Sequence, residues 1–315
     1  FTEMFELARL VHDVNACEQP GVSIIYDNFL PVMWRAVQRG WVRSDHAELV
    51  AHGLRWGFEA GVDRALLRGA RIFTNYPSTK GPARAQVTAA VEKRVTDFKS
   101  FPVGTWFDSF KASLRSVFSD YFILPLGAVD KPLEPGVKRV TCDHTRTGLN
   151  AATTLGILKH SIRTYDEIAH FLKLGYVMHV SDVDNAFPML PFAPWLWPFM
   201  FFRSYRAGMS LQSLFYHVCG DFGTAGMPGV FKVFFVDVLV NMARSEAVLT
   251  LPLPIFVDDM GLISSLVRKC DSAMTVFQDW AEGKFGVRFK RIKDRDASHV
   301  SFMIGFWWDS FERTR

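Results

Sequence analysis

Two adjacent carboxylates, Asp258 and Asp259, close a largely apolar run from Leu249 to Val257 and precede a second apolar stretch, 260–263. This pattern predicts a buried β-hairpin with the two acids at its turn. Burying a carboxylate is costly unless it is paired or bound to a metal. We therefore expect a divalent cation at this turn, whereas an isolated pair of aspartates would more simply be a solvated turn.

A second acidic strand is predicted upstream, over residues 176–187, and it contains Asp182 and Asp184. If this strand shares a sheet with the hairpin, Asp182 can meet Asp258 and Asp259. Three carboxylates on adjacent strands can hold two Mg²⁺ ions about 3.5–4 Å apart, an arrangement that catalyses phosphoryl transfer. Asp184 lies on the same strand face as Asp182 by alternation, so it is the alternative ligand unless it is a solvated carboxylate at the strand end.

The composition bounds the class of protein. A chain of 315 residues with 49% hydrophobic content can bury a large core in one or two domains. The net charge of +4 is small, but basic residues cluster at 80–99, 138–146 and 288–293, which suits a nucleic-acid surface as well as a merely solvated face.

Cysteine usage and hydropathy restrict the compartment. The four cysteines show no metal-ligand spacing, which argues against structural zinc and favours reduced thiols in an intracellular protein of the cytoplasm or nucleus. The most apolar stretch, Leu190 to Phe202, is too short and too rich in proline to span a bilayer, so no membrane association is expected. The chain opens without methionine and ends just past a predicted strand, which suggests a region of a longer protein.

Apolar periodicity indicates the elements that position these acids. Residues up to about 100 are predicted to be mainly helical, and a mixed pattern follows. Helices are predicted at Phe5–Val14, Phe29–Arg39, Ala47–Gly61, Ala85–Phe98, Tyr165–Leu174, Met227–Arg244 and Ser265–Phe285. Strands are predicted at 122–129 and 137–141, joined by a turn at 134–136, and around 289–292 and 299–308. The expected fold class is α+β, with strands from distant segments on one sheet and helices behind it.

In order along the chain, four segments resemble the motif series of reverse transcriptases. They are Asp182–Phe187, Gly223–Phe231, Phe256–Asp259 and Ser301–Phe306. The segments Leu124–Lys131, with Arg139 and Asp143 beyond it, and Phe306–Ser310 resemble retrotransposons of the DIRS type, which encode a tyrosine recombinase, and next the gypsy type.

This resemblance implies a right-hand polymerase fold, with an antiparallel palm sheet backed by helices. Residues 1–100 would be an N-terminal helical extension, 101–175 fingers, and 176–315 palm with an interleaved fingers segment and the start of the thumb. The implied activity is RNA-directed DNA polymerisation by a retroelement nucleotidyltransferase. Its partners would be an RNA template, a DNA primer and dNTPs, with RNase H and recombinase segments beyond Arg315.

The resemblance also implies roles for individual residues. Two Mg²⁺ ions, with Mn²⁺ as a substitute, would be held by Asp182, Asp258, Asp259 and the carbonyl of Val183. The nucleotide-binding residues would be Lys131, Arg139, Phe187, Phe222, Gly223 and Lys293, with Lys290 as the alternative to Lys293 for the proton-donating lysine. Phe187 would exclude a 2′-hydroxyl and so select dNTPs. The residues facing primer and template would be Gly226, Pro228, Phe302 and Gly305.

Three other interpretations remain open on the sequence. The first is a catalytically inactive, reverse-transcriptase-derived scaffold that binds nucleic acid or protein. The second, an RNA-dependent RNA polymerase, is disfavoured by the bulk of Phe187. The third, an unrelated two-metal nuclease, does not explain the glycine-proline loop at 223–229. Two departures from the family pattern, Asp130 and Asp221, are predicted to place acids near the nucleotide site.

Overall fold

The computed structural model describes residues 4, 6–8, 23–131, 134, 136–159 and 164–311. These residues form two compact units, each built from separate stretches of the chain. The first unit comprises the described residues of Phe1–Pro20, Gly53–Leu158 and Leu190–Met227. The second comprises those of Gly21–His52, Lys159–Met189 and Pro228–Arg315.

Helices and strands alternate irregularly along the chain, as expected for an α+β fold. The helices are α1 (Ser23–Gln38), α2 (Ser44–Trp56), α3 (Ala83–Thr96), α4 (Asp108–Val117), α5 (His144–Thr147), α6 (Thr164–Phe171), α7 (Met227–Phe231, Lys232–Val240 and Asn241–Ser245 in succession) and α8 (Val267–Phe285). The strands are β1 (Ala70–Ile72), β2 (Ser100–Thr105), β3 (Tyr121–Leu124), β4 (Leu126–Asp130), β5 (Lys138–Cys142), β6 (Val177–Asp182), β7 (Phe201–Tyr205), β8 (Gln212–His217), β9 (Ile255–Phe256), β10 (Asp259–Ser264), β11 (Arg295–Ser298), β12 (Val300–Met303) and β13 (Phe306–Asp309).

The first unit contains a five-stranded mixed sheet in the order β1-β3-β7-β8-β2. Strand β3 is parallel to both β1 and β7, whereas β7, β8 and β2 pair antiparallel. Aromatic rings fill its core: Phe202 stacks on Phe215 at 5.4 Å, and Phe122 meets Phe199 edge-on at 5.1 Å. A separate antiparallel hairpin pairs β4 with β5.

The second unit contains an antiparallel sheet in the order β11-β6-β10-β9. Its core includes Ile168, Met178, Ile263 and Met303, all nearly inaccessible to solvent. Helix α8 packs against β6, β10 and β11. Its Phe277 ring lies 5.9 Å from that of Phe289. An antiparallel sheet covered by a helix therefore carries the acidic residues.

Helix α7 departs from α-helical geometry in its middle. Residues Lys232–Val240 are π-helical, a conformation usually confined to single turns. Lys232 Nζ lies 2.7 and 2.9 Å from the two carboxylate oxygens of Asp237, five residues ahead, which is the spacing that a π-helix aligns. The segment is apolar on nearly all sides, and most of its side chains are buried.

The structure confirms most predicted elements and corrects some. The strand predicted at 289–292 is wrong: Phe289 forms a single bridge to Val183, and Arg291–Lys293 is a 3₁₀ turn. The Arg291 guanidinium donates hydrogen bonds to Asp279 and Glu282 of α8, and these contacts favour the turn over an extended strand. Strands β1, β2, β7 and β8 were not foreseen by periodicity.

The predicted helix Phe5–Val14 lies mostly outside the described residues. Within the described part of the chain, no helix is both long and apolar enough to cross a membrane.

Candidate active site

The acidic residues of the second unit meet across two paired strands. Strands β6 and β10 are antiparallel, and their register places Asp182 directly opposite Asp259. The amide of Val183 donates a 2.9 Å hydrogen bond to the carbonyl oxygen of Asp258, which extends the pairing to the turn. The sheet thus brings together the three carboxylates that the sequence singled out.

A tight turn presents Asp258. Phe256 of β9 pairs with Asp259 of β10, which leaves Val257 and Asp258 as the two loop residues. Val257 has φ of +54°, a conformation in which a β-branched residue is strained. Glycine is the usual occupant of the first loop position when φ is positive there. Such strain persists where surrounding structure enforces it, which is common at functional sites.

A lysine lies within this acidic group. Lys290 Nζ is 3.0 and 3.2 Å from the two carboxylate oxygens of Asp182, and the Lys290 amide donates to the Asp182 carbonyl at 2.9 Å. Only 17% of the Asp182 side chain is exposed, so the pair is partly shielded from solvent. Of the two candidate lysines, Lys290 contacts Asp182, while Lys293 ends the following 3₁₀ turn.

The pKa of Asp259 is raised from 3.8 to about 6. Burial is the largest cause, and repulsion from Asp258 and then Asp182 adds to it, because each neighbour disfavours a further negative charge. Lys290 and Lys293 oppose the rise without cancelling it. A cation bound here would offset both the cost of burial and the repulsion among the three carboxylates.

The alternative ligand Asp184 lies beyond the end of β6. Its carboxylate accepts a 2.8 Å hydrogen bond from Asn185, whose φ is +54°, and its amide donates to the Arg288 carbonyl. Phe187 follows in the core, with 5% of its surface exposed and its ring edge-on to Phe231 at 6.2 Å.

The remaining predicted residues of the second unit lie on two other elements. Pro228 is the second residue of α7, in its first turn, where a proline nitrogen costs no hydrogen bond. Phe302 is on β12 and lies 5.2 Å from the Trp307 ring of β13. The two-residue loop of this hairpin is Ile304-Gly305, with φ of +58° and +79°. Positive φ at both positions is the signature of a type I′ turn.

In the first unit, two predicted nucleotide-binding residues are in contact. The guanidinium carbon of Arg139, on β5, lies 5.2 Å from the centre of the Phe222 ring, a cation–π distance. Arg139 is exposed, and 37% of Phe222 is exposed, so both are accessible to a ligand. Lys131, just past β4, instead pairs with Glu134 at 3.2 Å.

The loop after β8 leaves no room for a side chain at its two glycines, Gly223 and Gly226. Gly223 has φ of +117°, and a Cβ there would clash with the carbonyl of Cys142. A Cβ on Gly226 would clash with the carbonyl of Ala60. The sequence did not reveal Asn150, which clamps this loop: its amide donates to the Gly223 carbonyl and its oxygen accepts from the Ala225 amide, both at 2.9 Å.

The two acids that depart from the family pattern, Asp221 and Asp130, both have partners within the first unit. Asp221 is 1% exposed and turns inward, where Thr224 donates to it at 2.7 Å and His144 lies 2.8 Å away. Burial opposes its ionisation, yet the His144 ring holds the pKa of Asp221 well below its ordinary value. Asp130 pairs with Lys138 at 2.6 Å. The carboxylate of Asp221 is therefore buried inside the first unit, where His144 and Thr224 hold it.

A cavity of about 530 Å³ opens in the first unit beside this loop. Its lining includes Tyr76, Ser78, Val129, Asp143 and Gly223. Two groups of three described ligand residues also have ligand atoms all within 4.8 Å of one another. They are Cys142, His217 and Asp221 in the first unit, and His179, Asp271 and Asp296 in the second.

Comparisons with known proteins identify the fold. No protein-family model and no curated protein matches the sequence. Among solved structures, native prototype foamy virus protease-reverse transcriptase matches at 15% identity and a TM-score of 0.53, over 77% of this chain and 27% of that one. A foamy viral protease-reverse transcriptase (dRH), solved in complex with double-stranded DNA, matches at 12% identity and 0.59, over 92% and 46%.

A selenomethionine-labelled mutant (CSH) of the prototype foamy virus protein matches at 16% identity and 0.53, over 76% of this chain and 27% of that one. The chain thus spans between 27% and 46% of the length of the structures it resembles. Their shared architecture, together with the α+β elements described above, shows that this chain has a reverse-transcriptase fold.

Proposed function

We propose that this chain is the polymerase region of a retroelement reverse transcriptase, an RNA-directed DNA polymerase closest to the DIRS type. It would add dNTPs to a primer 3′ end on an RNA or DNA template. One observation carries the proposal: on a reverse-transcriptase fold, β6 and β10 set Asp182 opposite Asp259, with Asp258 in the adjoining strained turn. The sheet β11-β6-β10-β9 would be the palm, and the β4–β5 hairpin would belong to the fingers.

The donor set of this cluster fits divalent metal ions. Carboxylate and carbonyl oxygens are the ligands that Mg²⁺ prefers, and the raised pKa of Asp259 indicates negative charge that a cation would neutralise. Asp182, Asp258, Asp259 and the Val183 carbonyl would hold two Mg²⁺ ions, or Mn²⁺ in their place. When bound, the ions would lower the pKa of the primer 3′-hydroxyl and neutralise charge on the triphosphate and the departing pyrophosphate.

The protein's own groups would bind and orient the nucleotide. Arg139 would contact the triphosphate in a bidentate manner, and Lys131 would add a point charge once released from Glu134. Phe222 would stack near the incoming base and hold the Arg139 guanidinium in place. Phe187 would exclude the 2′-hydroxyl. Lys293, or Lys290, would hold the proton that the leaving pyrophosphate takes up.

The remaining predicted residues would face the nucleic acid. Gly223, Gly226 and Pro228 would let the loop and the start of α7 approach the template and the nascent pair closely. The β12–β13 hairpin, with Phe302 and Gly305, would contact the primer end. RNase H and recombinase segments would lie in the full-length polyprotein.

A second candidate function is a catalytically inactive scaffold that binds nucleic acid or protein. Its support is the Lys290 ammonium, which occupies both carboxylate oxygens of Asp182. A lysine so placed competes with a cation for the same ligand. In an enzyme, the Lys290–Asp182 ion pair must break when a metal ion binds Asp182, whereas in a scaffold the pair can persist.

Primer extension separates the two functions. Wild-type protein, Asp258→Asn and the matched variant Asp184→Asn would be given an RNA template, a DNA primer, dNTPs and Mg²⁺. We expect extension by wild type and Asp184→Asn, and none by Asp258→Asn, with all three binding the primer–template. Extension by Asp258→Asn at the wild-type rate would contradict the metal site. Retained binding with no extension by any of them would favour the scaffold.

A further inference from the structure

A buried cluster of metal-ligating side chains in the first unit lies outside the acidic site. Cys142 Sγ is 3.2 Å from His217 Nε2, which in turn is 3.8 Å from Asp221 Oδ2. The three residues are 5%, 1% and 1% exposed. A tetrahedral zinc ion, with bonds of about 2.0–2.3 Å, separates its ligand atoms by about 3.3–3.7 Å, and the two observed spacings lie about 0.1 Å outside that range, one at each end.

We propose that Cys142, His217 and Asp221 supply three protein ligands for a transition-metal dication of the zinc class. A thiolate, an imidazole and a carboxylate are the ligand types that zinc selects. A dication bound to one thiolate and one carboxylate forms a unit of zero net charge, which can be buried at little electrostatic cost. The site does not depend on the proposed polymerase activity.

The neighbours of the cluster prepare His217 to bind. Its Nδ1 lies 2.8 Å from the Ser100 hydroxyl, and its ring stacks on Phe202 at 4.3 Å. With Nδ1 protonated and donating to Ser100, Nε2 presents its lone pair towards Cys142 and Asp221. A metal-bound histidine commonly has its other nitrogen fixed in this way. The Arg94 guanidinium, 3.4 Å from the same ring and only partly buried, opposes a cation at this position.

Hydrogen bonding alone leaves this cluster incompletely satisfied. His144 Nε2 lies 2.8 Å from Asp221 Oδ2, but His144 Nδ1 is buried without a hydrogen-bond partner among the described residues. A buried ring nitrogen without a partner is costly. A bound dication would give Asp221 a counter-charge within the cluster, with His144 Nε2 still orienting the carboxylate.

The site would fix the loop that carries the proposed nucleotide-binding residues. Cys142 ends β5, His217 ends β8, and Asp221 immediately precedes Phe222 and Gly223. A metal joining them would link the β4–β5 hairpin to the start of this loop. Cysteine spacing alone argues against structural zinc, but Cys142 and His217 are 75 residues apart in the chain and come together in the fold.

Metal content and cobalt spectroscopy test this proposal. The purified wild-type chain would be stripped with a chelator and titrated with Zn²⁺ and, separately, with Co²⁺. We expect about one tightly held metal per chain, a thiolate-to-cobalt charge-transfer band and a higher thermal midpoint with zinc. Cys142→Ser should lose the band, and Cys219→Ser should keep it. Asp258→Asn should also keep the band, which separates this site from the acidic one.

The proposal is overturned if wild type shows no thiolate band at one equivalent of Co²⁺, or if Cys142→Ser retains it. Should Cys142→Ser fail to fold, Asp221→Asn provides a second variant that keeps the side-chain shape. Circular dichroism would confirm its fold. Its zinc affinity should fall by at least about 10-fold, because an anionic ligand is replaced by a neutral one; an unchanged affinity would equally refute the site.

Discussion

Replacing one acid of the acidic cluster formed by Asp182, Asp258 and Asp259 should stabilise the fold while abolishing the proposed activity. The perturbation is Asp259→Asn, which keeps the side-chain shape and removes one of three close negative charges. The pKa of Asp259 is raised from 3.8 to about 6, so the folded protein binds more protons than the unfolded chain between these pH values. The free energy of unfolding of wild type therefore falls as pH rises through this window, and the cost is complete above pH 6.

The size of the stability difference between Asp259→Asn and wild type follows from the rise in the pKa of Asp259. The interval from 3.8 to about 6 corresponds to about 3 kcal/mol at about 1.4 kcal/mol per pH unit. Because the carboxylate is partly exposed, solvent screening reduces this to about 1–2 kcal/mol. Asp259→Asn should thus be more stable than wild type by about 1–2 kcal/mol at pH 7.5, and the two should converge below pH 4.

Chemical denaturation at pH 4, 5, 6 and 7.5, in the presence of a chelator, measures this difference. Asp184→Asn is the matched control, since its carboxylate lies past the end of β6 and bonds to Asn185. We expect its stability to stay within about 0.5 kcal/mol of wild type at every pH. The reasoning is refuted if Asp259→Asn is no more stable than wild type at pH 7.5, or if its advantage does not grow between pH 4 and pH 7.5.

Three further substitutions test the proposed nucleotide-binding residues and the strained turn at Val257. Phe187→Ala should admit rNTPs because it removes the ring proposed to exclude the 2′-hydroxyl; an unchanged dNTP/rNTP ratio in a variant that still extends primers would remove Phe187 from that role. Arg139→Lys should raise the KM for dNTPs about 10-fold with little change in kcat, because one charge-assisted hydrogen bond is lost, and steady-state kinetics would show whether KM stays at the wild-type value instead. Val257→Gly should raise the free energy of unfolding by about 0.5–1 kcal/mol, since relief of backbone strain outweighs the added freedom of the unfolded chain. A less stable Val257→Gly in denaturant titrations would contradict the strain argument.

Local patterns in the sequence predicted the elements whose side chains alternate between core and solvent. Helices α3 and α8 and the acidic turn after β9 lie close to their predicted ranges. Helix α1 begins at Ser23, earlier than predicted, and the strand predicted at 122–129 is divided at Pro125 into β3 and β4, which lie in different sheets. Strands β7 and β8 were missed because Phe201–Tyr205 follows a proline-rich apolar run with no alternation. The π-helical middle of α7 was also not predicted, because a segment that is apolar on nearly all sides gives no hydrophobic periodicity from which its helix type could be read.

The acidic pairing was predictable from the sequence because it needs only two strands and a register. The hydrogen-bond partners of the other polar groups could not be predicted from the sequence. Asp221 was expected beside a nucleotide, but its carboxylate turns towards His144, which is 77 residues away in the chain. Asn150 gave no signal, because an asparagine that clamps a distant loop resembles any surface asparagine. Such contacts depend on packing between segments that no local pattern relates.

The topology of the acidic sheet has a consequence for how the chain is made. Strand β6 lies between β10 and β11, and both neighbours are synthesised long after it. At about 5–20 residues per second, the apolar strand Val177–Asp182 waits several seconds with both edges unpaired. An unpaired strand of this kind is a template for aggregation. The order of strands that brings Asp182 to Asp259 therefore makes the nascent protein vulnerable, and a chaperone that covers β6 should raise the yield of folded chain.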